Sequence, residues 1–362
     1  MCNNDSNNDK NDNKRKGKKR NFTDCDSFGN NKEWEYEEIN KEIETLDDLI
    51  ELGKIYDLKK RKRYNIDLKK LNKLVKPLTD LKKIIGMDKV KKTIVGHIIY
   101  YVQDLEDNSN NMMHTVIQGP PGVGKTMLGR LIGDIYFNLG MFKSNFHNHR
   151  LKEYRDRYTF RIARRSDLIG RYLGETSIKT QEFINSCNGG VMFIDEAYSL
   201  GNAEGRDSYS KECIDTINQN LTENKGNFLC IIAGYKEDLE HCFFAYNSGL
   251  KRRFPFVYEI ENYTYLELSR IFYKMIYEIG WCILSIEDNF FKDNYNYFPN
   301  YGGDMETLFF KCKIEHSKRI FCLSNEHKKK LTKEDINNGF KEYKLNVKIK
   351  KTDNTSISHL YL

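Results

Sequence analysis

Residues 119–126 read GPPGVGKT, between a mostly apolar run at 112–117 and a segment, 127–135, whose apolar residues recur at helical spacing. These flanks predict a strand before the stretch and a helix after it. Its three glycines let the backbone curl so that successive amide N–H groups point at one anion. The start of a helix adds unpaired donors and the positive end of its dipole. The stretch therefore predicts a cradle for phosphate groups.

Two side chains of this loop have distinct roles in a phosphate site. Lys125 would lie against the outer phosphates as a point charge, and the Thr126 hydroxyl would ligate Mg²⁺. A glycine-rich turn with a stray lysine is the alternative, but it leaves the flanking strand and helix unexplained. The predicted cofactors are ATP and Mg²⁺. The loop residues predicted to bind them are Gly119, Pro120, Pro121, Gly122, Val123, Gly124, Lys125, Thr126 and Met127.

A pair of acids ends a second apolar strand about 70 residues later, where Val191–Ile194 is followed by Asp195 and Glu196. At the mouth of a buried strand, Asp195 would hold the water shell of Mg²⁺, and Glu196 would orient and deprotonate the attacking water. Two acids that merely cap a helix after a strand are the alternative. The phosphate loop upstream favours the catalytic interpretation.

Composition and charge limit the class of protein. The net charge is +7, but residues 1–20 contribute +4 through seven Lys and Arg against three Asp, so the body is close to neutral. The near-neutral charge of the body argues against nucleic acid binding as the main function of the folded part. The nine cysteines form no C-x-x-C pair, and we find neither an apolar signal segment nor a membrane span. We expect a cytoplasmic or nuclear protein that is not secreted.

The chain divides into five parts by composition and periodicity. Residues 1–33 are polar and basic and are expected to be disordered; a solvated tail, nuclear targeting and polyanion binding all remain open for them. Residues 34–80 have helical spacing, 81–262 alternate strands with helices around a parallel sheet, and 263–345 are helical. Residues 346–362 are expected to form a loosely attached tail.

Three further segments carry a resemblance to the AAA+ ATPases, in the CbxX/CfxQ branch that includes red-type rubisco activases. They read RSDLIGRYLGETSIKTQEFINSCNGGVMFIDEAYSL, FLCIIAGYKEDLE and NSGLKRRFP, and the likeness extends from about residue 81 to about residue 343. It implies an α/β fold, a P-loop NTPase three-layer sandwich whose parallel five-stranded sheet has the order 5-1-4-3-2. It also implies a small C-terminal all-helical lid domain.

The resemblance assigns nucleotide and client roles residue by residue. Ile85 and Gly86 match the segment that contacts adenine. Tyr235 occupies the position where many relatives place an asparagine that senses the γ-phosphate. The triplet that matches the pore-lining loop of hexameric relatives is Tyr172, Leu173 and Gly174. An aromatic ring beside a flexible hinge suits sequence-tolerant gripping of a polypeptide, and a tyrosine buried in a turn is the alternative.

One basic position links catalysis to assembly. Arg253 matches the arginine finger that reaches a neighbour's γ-phosphate, which accelerates hydrolysis by roughly 10³- to 10⁵-fold. Arg252 or Lys251 would take this role if the loop were shifted, and a solvated basic turn is the alternative. Relatives often carry an arginine in the lid as well, but residues 302–305 read GGDM, so none is predicted. The predicted catalytic residues are Glu196, Lys125 and Arg253.

The resemblance implies an ATP-hydrolysing machine that works as a homo-oligomeric ring, expected to be hexameric, and that threads or disassembles a protein client. Two alternatives stay open. An ATPase acting on DNA or RNA is favoured by the basic tail and the basic residues 61–63, and disfavoured by the near-neutral body. An ATP-dependent scaffold with little turnover is disfavoured by the complete set of catalytic residues.

Overall fold

The computed structural model describes residues 35–57, 62–103, 105, 112–142, 158–172, 174–201, 207–247 and 249–357. Its described residues form two units, a small one (35–40 and 62–65) and a large one (41–57 and the described residues between 66 and 357). The predicted tail, 1–33, lies outside the described residues. Within the small unit, β1 (Glu35–Glu37) pairs in parallel with β2 (Lys62–Tyr64). Sequence periodicity predicts only helices here, because strands of three residues carry too little pattern to be recognised.

The large unit begins with a helical hairpin, α1 (Leu46–Ile55) and α2 (Leu68–Lys82). Thr45 starts α1 with a capping box, since Asp48 and Thr45 each accept a hydrogen bond from the other's backbone N–H. Gly53 lets the helices approach closely, because a Cβ there would lie 2.7 Å from the Leu71 carbonyl oxygen. The helical spacing predicted for 34–80 is confirmed in α2, whose Leu68, Leu71, Leu74 and Leu78 are buried.

Five parallel strands form the central sheet. They follow α3 (Asp88–Val102) and comprise β3 (Thr115–Gln118), β4 (Phe160–Ala163), β5 (Val191–Ile194), β6 (Leu229–Gly234) and β7 (Phe256–Glu259). Their order across the sheet is β7-β3-β6-β5-β4, which is 5-1-4-3-2 along the chain, so the predicted topology is confirmed. The three central strands are buried along their whole length. Such strands need helices on both faces.

The crossovers between these strands supply that cover. The helices of the nucleotide domain after β3 are α4 (Lys125–Asn138), α5 (Arg165–Leu168), α6 (Glu175–Asn185), α7 (Ser208–Glu223) and α8 (Lys236–Asp238). Parallel strands require crossovers of this kind, because the chain must return to the same edge before each strand. The segments that follow the strands therefore all lie along the edge of the sheet formed by the carboxyl ends of the strands.

The C-terminal part is a helical domain with one departure from prediction. Its elements are α9 (Tyr265–Glu278), β8 (Cys282–Ile283), α10 (Phe290–Asp293), α11 (Tyr301–Ile320), β9 (Lys330–Leu331) and α12 (Lys333–Ile357). The two-residue strands β8 and β9 pair in parallel, so this domain is not purely helical. Helix α12 also continues to Ile357, into the segment expected to be a tail. Among the described residues, no helix has the length and apolar character needed to cross a membrane.

Candidate nucleotide site

The carboxyl ends of β3, β5 and β6 meet at one edge of the sheet and form a cleft of about 680 Å³ between the sheet and the C-terminal helices. The loop after β3, the acids after β5 and Tyr235 after β6 all reach it, because neighbouring parallel strands end together. The residues that line it are Ile84, Ile85, Pro121, Gly122, Val123, Gly124, Lys125, Thr126, Met127, Asp195, Glu196, Tyr198, Gly234, Tyr235, Tyr263, Ile271, Lys274, Met275, Glu278, Gly302, Gly303 and Glu306.

The loop 119–126 has the backbone of an anion cradle. Gly122 and Gly124 adopt φ values of 69° and 87°, in the left-handed region that favours glycine, and α4 begins directly afterwards. Gly119 holds the loop against the sheet by donating its N–H to the Gly234 carbonyl at 3.2 Å. Gly119 and Pro120 are not among the residues that line the cleft, but both carbonyls serve as acceptors for Lys125. The cradle itself is therefore formed by 121–126.

Lys125 is half-buried beneath the loop. Its ammonium donates to the carbonyls of Gly119 (2.9 Å) and Pro120 (2.8 Å), and lies 5.0 Å from the centre of the Tyr235 ring. Burial lowers its pKa from the usual value, while the negative charges of Asp195 and Glu196 act in the opposite direction. A desolvated ammonium interacts more strongly with phosphate oxygens than one in bulk water does.

Thr126, in the first turn of α4, and Asp195, directly after β5, bring two oxygen atoms together. The Thr126 hydroxyl donates to Asp195 Oδ2 at 3.1 Å, and Asp195 Oδ1 accepts the Glu196 N–H at 3.1 Å. Hydroxyl and carboxylate oxygens are the ligands that Mg²⁺ prefers. The residues present therefore fit the ion that the sequence predicts, either directly or through its water shell.

Glu196 lies at the turn between β5 and a short 3₁₀ helix, Ala197–Leu200. Its φ of 50° is unusual for a residue with a side chain and marks a constrained position at the cleft. Burial, and then the negative charge of Glu196, raise the pKa of Tyr198, so that the phenol keeps its proton.

The C-terminal helices touch the phosphate loop directly. The Tyr263 hydroxyl donates to the Val123 carbonyl at 3.1 Å, and the Gly302 N–H donates to the Gly122 carbonyl at 3.1 Å. The approach is so close that a Cβ at Gly122 would overlap the Asn300 carbonyl. Sequence reasoning missed these contacts, since nothing local to residues 263 or 302 shows that they fold onto the loop.

The start of α11 carries an acid where relatives often have an arginine. Asp304 is buried and accepts the Asn300 N–H at 2.6 Å, so it fixes the start of the helix rather than facing phosphate. Lys274 is the only cation that the C-terminal helices contribute to the cleft among the residues described, and its ammonium donates to the Lys83 carbonyl at 2.8 Å. No arginine of the described C-terminal residues lines the cleft.

Part of the segment predicted to contact adenine also lines the cleft. Ile84 and Ile85 line it, and the Lys91 ammonium donates to the Ile84 carbonyl at 2.7 Å. Gly86 does not line the cleft; it adopts a φ of 69° at a point where a Cβ would overlap the Glu267 carboxylate. Glycine is thus required for the turn into α3, and the apolar side chains before it face the site.

The structure does not bring the predicted arginine finger into its own cleft. Arg253 Nε donates to the Thr222 hydroxyl at 2.6 Å, and its Nη1 donates to the Gly249 carbonyl at 2.8 Å. The neighbouring Arg252 is exposed and lines a separate cavity of about 400 Å³, while Lys251 pairs with Glu240 at 2.6 Å. A finger at any of these positions would act on another copy of the chain.

The loop predicted to grip a client presents its tyrosine to solvent. The Tyr172 side chain is 76% exposed, so the alternative of a buried tyrosine in a turn is wrong. The Glu175 carboxylate accepts the N–H groups of Arg171 (2.7 Å) and Tyr172 (3.2 Å), and Gly174 has a φ of 87° at the start of α6. Leu173 lies outside the described residues. The loop backbone is therefore held in place while its ring projects outwards.

These features define a class of protein: an α/β nucleotide-binding protein with a glycine-rich phosphate loop, paired acids on the neighbouring strand and a helical lid. Comparison with known proteins gives the family. Residues 115–261 match the family described as "ATPase family associated with various cellular activities (AAA)". A putative cfxQ-like protein of Acanthamoeba polyphaga mimivirus is 42% identical over 323 residues, which are 88% of this chain and 76% of that protein. The chain belongs to the AAA+ ATPases, in the CbxX/CfxQ branch, which confirms the resemblance seen in the sequence.

Other relatives match over a smaller part. Stage V sporulation protein K of Bacillus subtilis (strain 168) is 32% identical over 55% of this chain and 59% of its own length. The CfxQ homolog of Pyropia yezoensis is 32% identical over 63% of this chain and 72% of that protein. Among solved structures, the FIGL-1 AAA domain in complex with ADP covers 71% of this chain and 82% of its own, with a TM-score of 0.50 at 17% identity. That likeness supports the fold alone.

Proposed function

We propose that the protein hydrolyses ATP as a ring of identical copies and uses the energy to remodel a protein client. The proposal rests on one observation: Lys125, Thr126, Asp195 and Glu196 all line the same cleft. Within it Thr126 bonds Asp195, and Tyr263 contacts the phosphate loop from the C-terminal side. Charge stabilisation and water activation are the two requirements of phosphoryl transfer to water, and the cleft has a group for each.

In this proposal each side chain has one task. Lys125 and the N–H groups of the loop bind the β- and γ-phosphates, while Thr126 and Asp195 hold Mg²⁺. The ion, when bound, supplies charge neutralisation on those phosphates. Glu196 orients the attacking water and accepts its proton as the bond between the γ-phosphorus and the bridging oxygen breaks, which yields ADP and phosphate. The carboxylate of Glu196 is exposed to the cleft, as this task requires.

Assembly follows from the charges around the cleft. The residues that line it include two lysines and no arginine, within the part of the chain that the structure describes. The negative charge that develops on the transferred phosphoryl group therefore needs a further cation, which we assign to Arg253 of a neighbouring copy. A homo-oligomeric ring, proposed to be hexameric, gives every cleft one such neighbour.

A complementation assay tests this assignment. Neither Glu196→Gln, which lacks the base, nor Arg253→Ala, which lacks the finger, is expected to release phosphate at more than about 1% of the wild-type rate. In a 1:1 mixture, an Arg253→Ala copy receives its finger from a Glu196→Gln neighbour, so that activity returns. A mixture no more active than its components would exclude Arg253 as a finger acting between copies. A second mixture, with Arg252→Ala in place of Arg253→Ala, decides between the two arginines: the finger is the arginine whose replacement inactivates the chain alone and is rescued in the mixture.

The client is proposed to be a polypeptide gripped by Tyr172. This rests on the exposed ring and the fixed loop backbone. The Glu196→Gln chain in ATP should retain a client that mass spectrometry identifies. The same chain with Tyr172→Ala should lose it; equal recovery from both would refute the gripping role.

An ATPase that acts on DNA or RNA is the second candidate. It is favoured by the +4 net charge of residues 1–20, which lie outside the described residues. Stimulation of phosphate release by single-stranded DNA, falling steeply between about 50 and 200 mM salt, would support it over the protein-remodelling function. Absence of stimulation at the lower salt concentration would exclude it.

A further inference from the structure

Arg165, the first residue of α5, does not line the nucleotide cleft, but its side chain joins three separate parts of the nucleotide domain. Its Nη1 donates to the Ser199 carbonyl at 2.8 Å and lies 3.2 Å from the Leu200 carbonyl and 3.1 Å from the Ser210 hydroxyl. Its Nη2 donates to Asp207 Oδ2 at 2.7 Å. A guanidinium presents its N–H groups in fixed directions within one plane, which an ammonium on a flexible stem does not. Arg165 therefore ties α5 to the end of the 3₁₀ helix and to the start of α7.

One side of this connection leads to the proposed catalytic base. The Glu196 carbonyl accepts the Ser199 N–H at 2.7 Å, within the turn where Glu196 has a φ of 50°. Leu200, the last residue of the same 3₁₀ helix, is fully buried in the core beneath the sheet, which fixes the far end of the turn. Two hydrogen bonds, both through the backbone of Ser199, thus connect the backbone of Glu196 to the Arg165 guanidinium.

The other side leads to the Tyr172 loop, the segment between α5 and α6. The Arg165 carbonyl accepts the Ile169 N–H at 2.9 Å, and the Gly170 N–H donates to the Thr176 hydroxyl at 3.1 Å. The N–H of Tyr172 itself is bonded to the first residue of α6, as described above. Successive backbone groups of the loop are therefore tied to α5 or α6, and a displacement of α5 also displaces the backbone that carries Tyr172.

Helix α7 provides a fixed frame for both ends of this segment. Asp207 caps α7 and accepts the Ser210 hydroxyl at 2.6 Å as well as the Arg165 guanidinium. The Ser210 hydroxyl and, against the effect of burial, Arg165 lower the pKa of Asp207 to about 2, so the ion pair stays charged at neutral pH. Further along α7, Glu212 accepts the Ser177 N–H at 3.0 Å, in the first turn of α6. The loop is thus suspended between two attachments to one helix.

We infer that Arg165 is a positioning residue that couples the nucleotide cleft to the Tyr172 loop: its guanidinium transmits the state of the turn after Glu196 to the backbone of the loop. The inference rests on the proposed function, since it takes ATP as the ligand of the cleft. Coupling between two sites requires a structural element that both of them bias. Here that element is the continuous set of hydrogen bonds from Glu196 through Ser199 and Arg165 to the loop.

Hydrogen exchange of the full chain, followed by mass spectrometry, tests the coupling without a client. In the Glu196→Gln chain, ATP should slow exchange in the peptide that contains Arg171 and Tyr172 by at least about threefold, because a turn fixed by the nucleotide then anchors the loop. With Arg165→Met added, the same peptide should respond by less than about 1.5-fold. The phosphate-loop peptide should still be slowed as before, and the affinity for a labelled ATP analogue should stay within about twofold, since Arg165 does not line the cleft.

The adjacent residue provides a matched control. Arg164 is exposed, so Arg164→Met removes the same charge one position away and should leave the loop response to ATP intact. Arg165→Lys keeps the charge but lacks the planar fork; it should lose the loop response too, and it provides the test if the methionine variant does not fold. A full loop response in either Arg165 variant would overturn the inference. So would an equal loss of response in the phosphate-loop peptide, because a general structural defect then explains the effect.

Failure of the proposed function gives a different result from failure of this inference. If the chain does not bind ATP, both are refuted. If Glu196→Gln hydrolyses ATP as fast as the wild type, the proposed function is refuted, whereas the exchange response to bound nucleotide still reports on Arg165. If Glu196→Gln is inactive and binds ATP, but the loop responds equally with and without the Arg165 guanidinium, only the role of Arg165 is refuted.

Discussion

Replacement of His114 by asparagine should remove a defined part of the acid sensitivity of the fold. His114 is fully buried at the start of β3: its Nδ1 accepts the Cys230 N–H at 3.0 Å, and its Nε2 lies 3.2 Å from the Leu221 carbonyl, which it bonds as a donor in the neutral tautomer. Burial lowers its pKa from 6.5 to about 4. The native state therefore keeps this imidazole neutral where the unfolded state protonates it.

The sign and size follow from linkage. Between pH 6.5 and pH 4 the unfolded chain binds more protons at His114 than the native chain does, so the free energy of unfolding falls as the pH is lowered through this window. The lowering of the His114 pKa corresponds to about 3 kcal/mol in the free energy of unfolding. About 2 kcal/mol of this stabilisation is lost between pH 7 and pH 5. Asparagine keeps an acceptor for the Cys230 N–H and does not titrate.

Urea unfolding followed by circular dichroism at pH 7 and pH 5 measures the difference. The wild type should lose about 2 kcal/mol more than His114→Asn over this interval, whatever the absolute stability of the variant. Burial also lowers the pKa of His97, which contributes in the same direction in both chains and cancels in the comparison. Equal losses in the two chains would refute a neutral buried His114.

Three further outcomes are expected. Gly122→Ala forces a Cβ into the Asn300 carbonyl and should weaken ATP binding in a fluorescence titration by at least about 100-fold, whereas Gly96→Ala, outside the cleft and with no atom near its Cβ, should not. Gly53→Ala should lower the free energy of unfolding by about 1–3 kcal/mol through overpacking, while Gly96→Ala, in an uncrowded helical position, should raise it by about 0.5–1 kcal/mol. Tyr172→Phe should keep client-stimulated ATPase activity and Tyr172→Ala should lose it, because the aromatic ring makes the grip.

The sequence predicted the parts of the site that are local in the chain. The phosphate loop, the acids after β5 and the exposed Tyr172 each lie within a short segment with its own pattern, and the resemblance supplied the strand order. The short strand pairs β1–β2 and β8–β9 were missed because they are not local in the chain. Each strand has two or three residues, and the stability of such a strand comes from a partner far along the chain.

By itself, then, the sequence determined the strands of the central sheet and the longer helices, the glycines that shape the loop, and the residue types at the nucleotide site, because hydrophobic period and backbone freedom are properties of consecutive residues. The tertiary structure alone decided that Tyr263 and Gly302 contact the loop, that Arg253 is turned away from its own cleft, and that the ring of Tyr198 stacks on that of Tyr235. Those facts depend on how separate elements pack, and packing is fixed by side chains that meet only after the chain has folded.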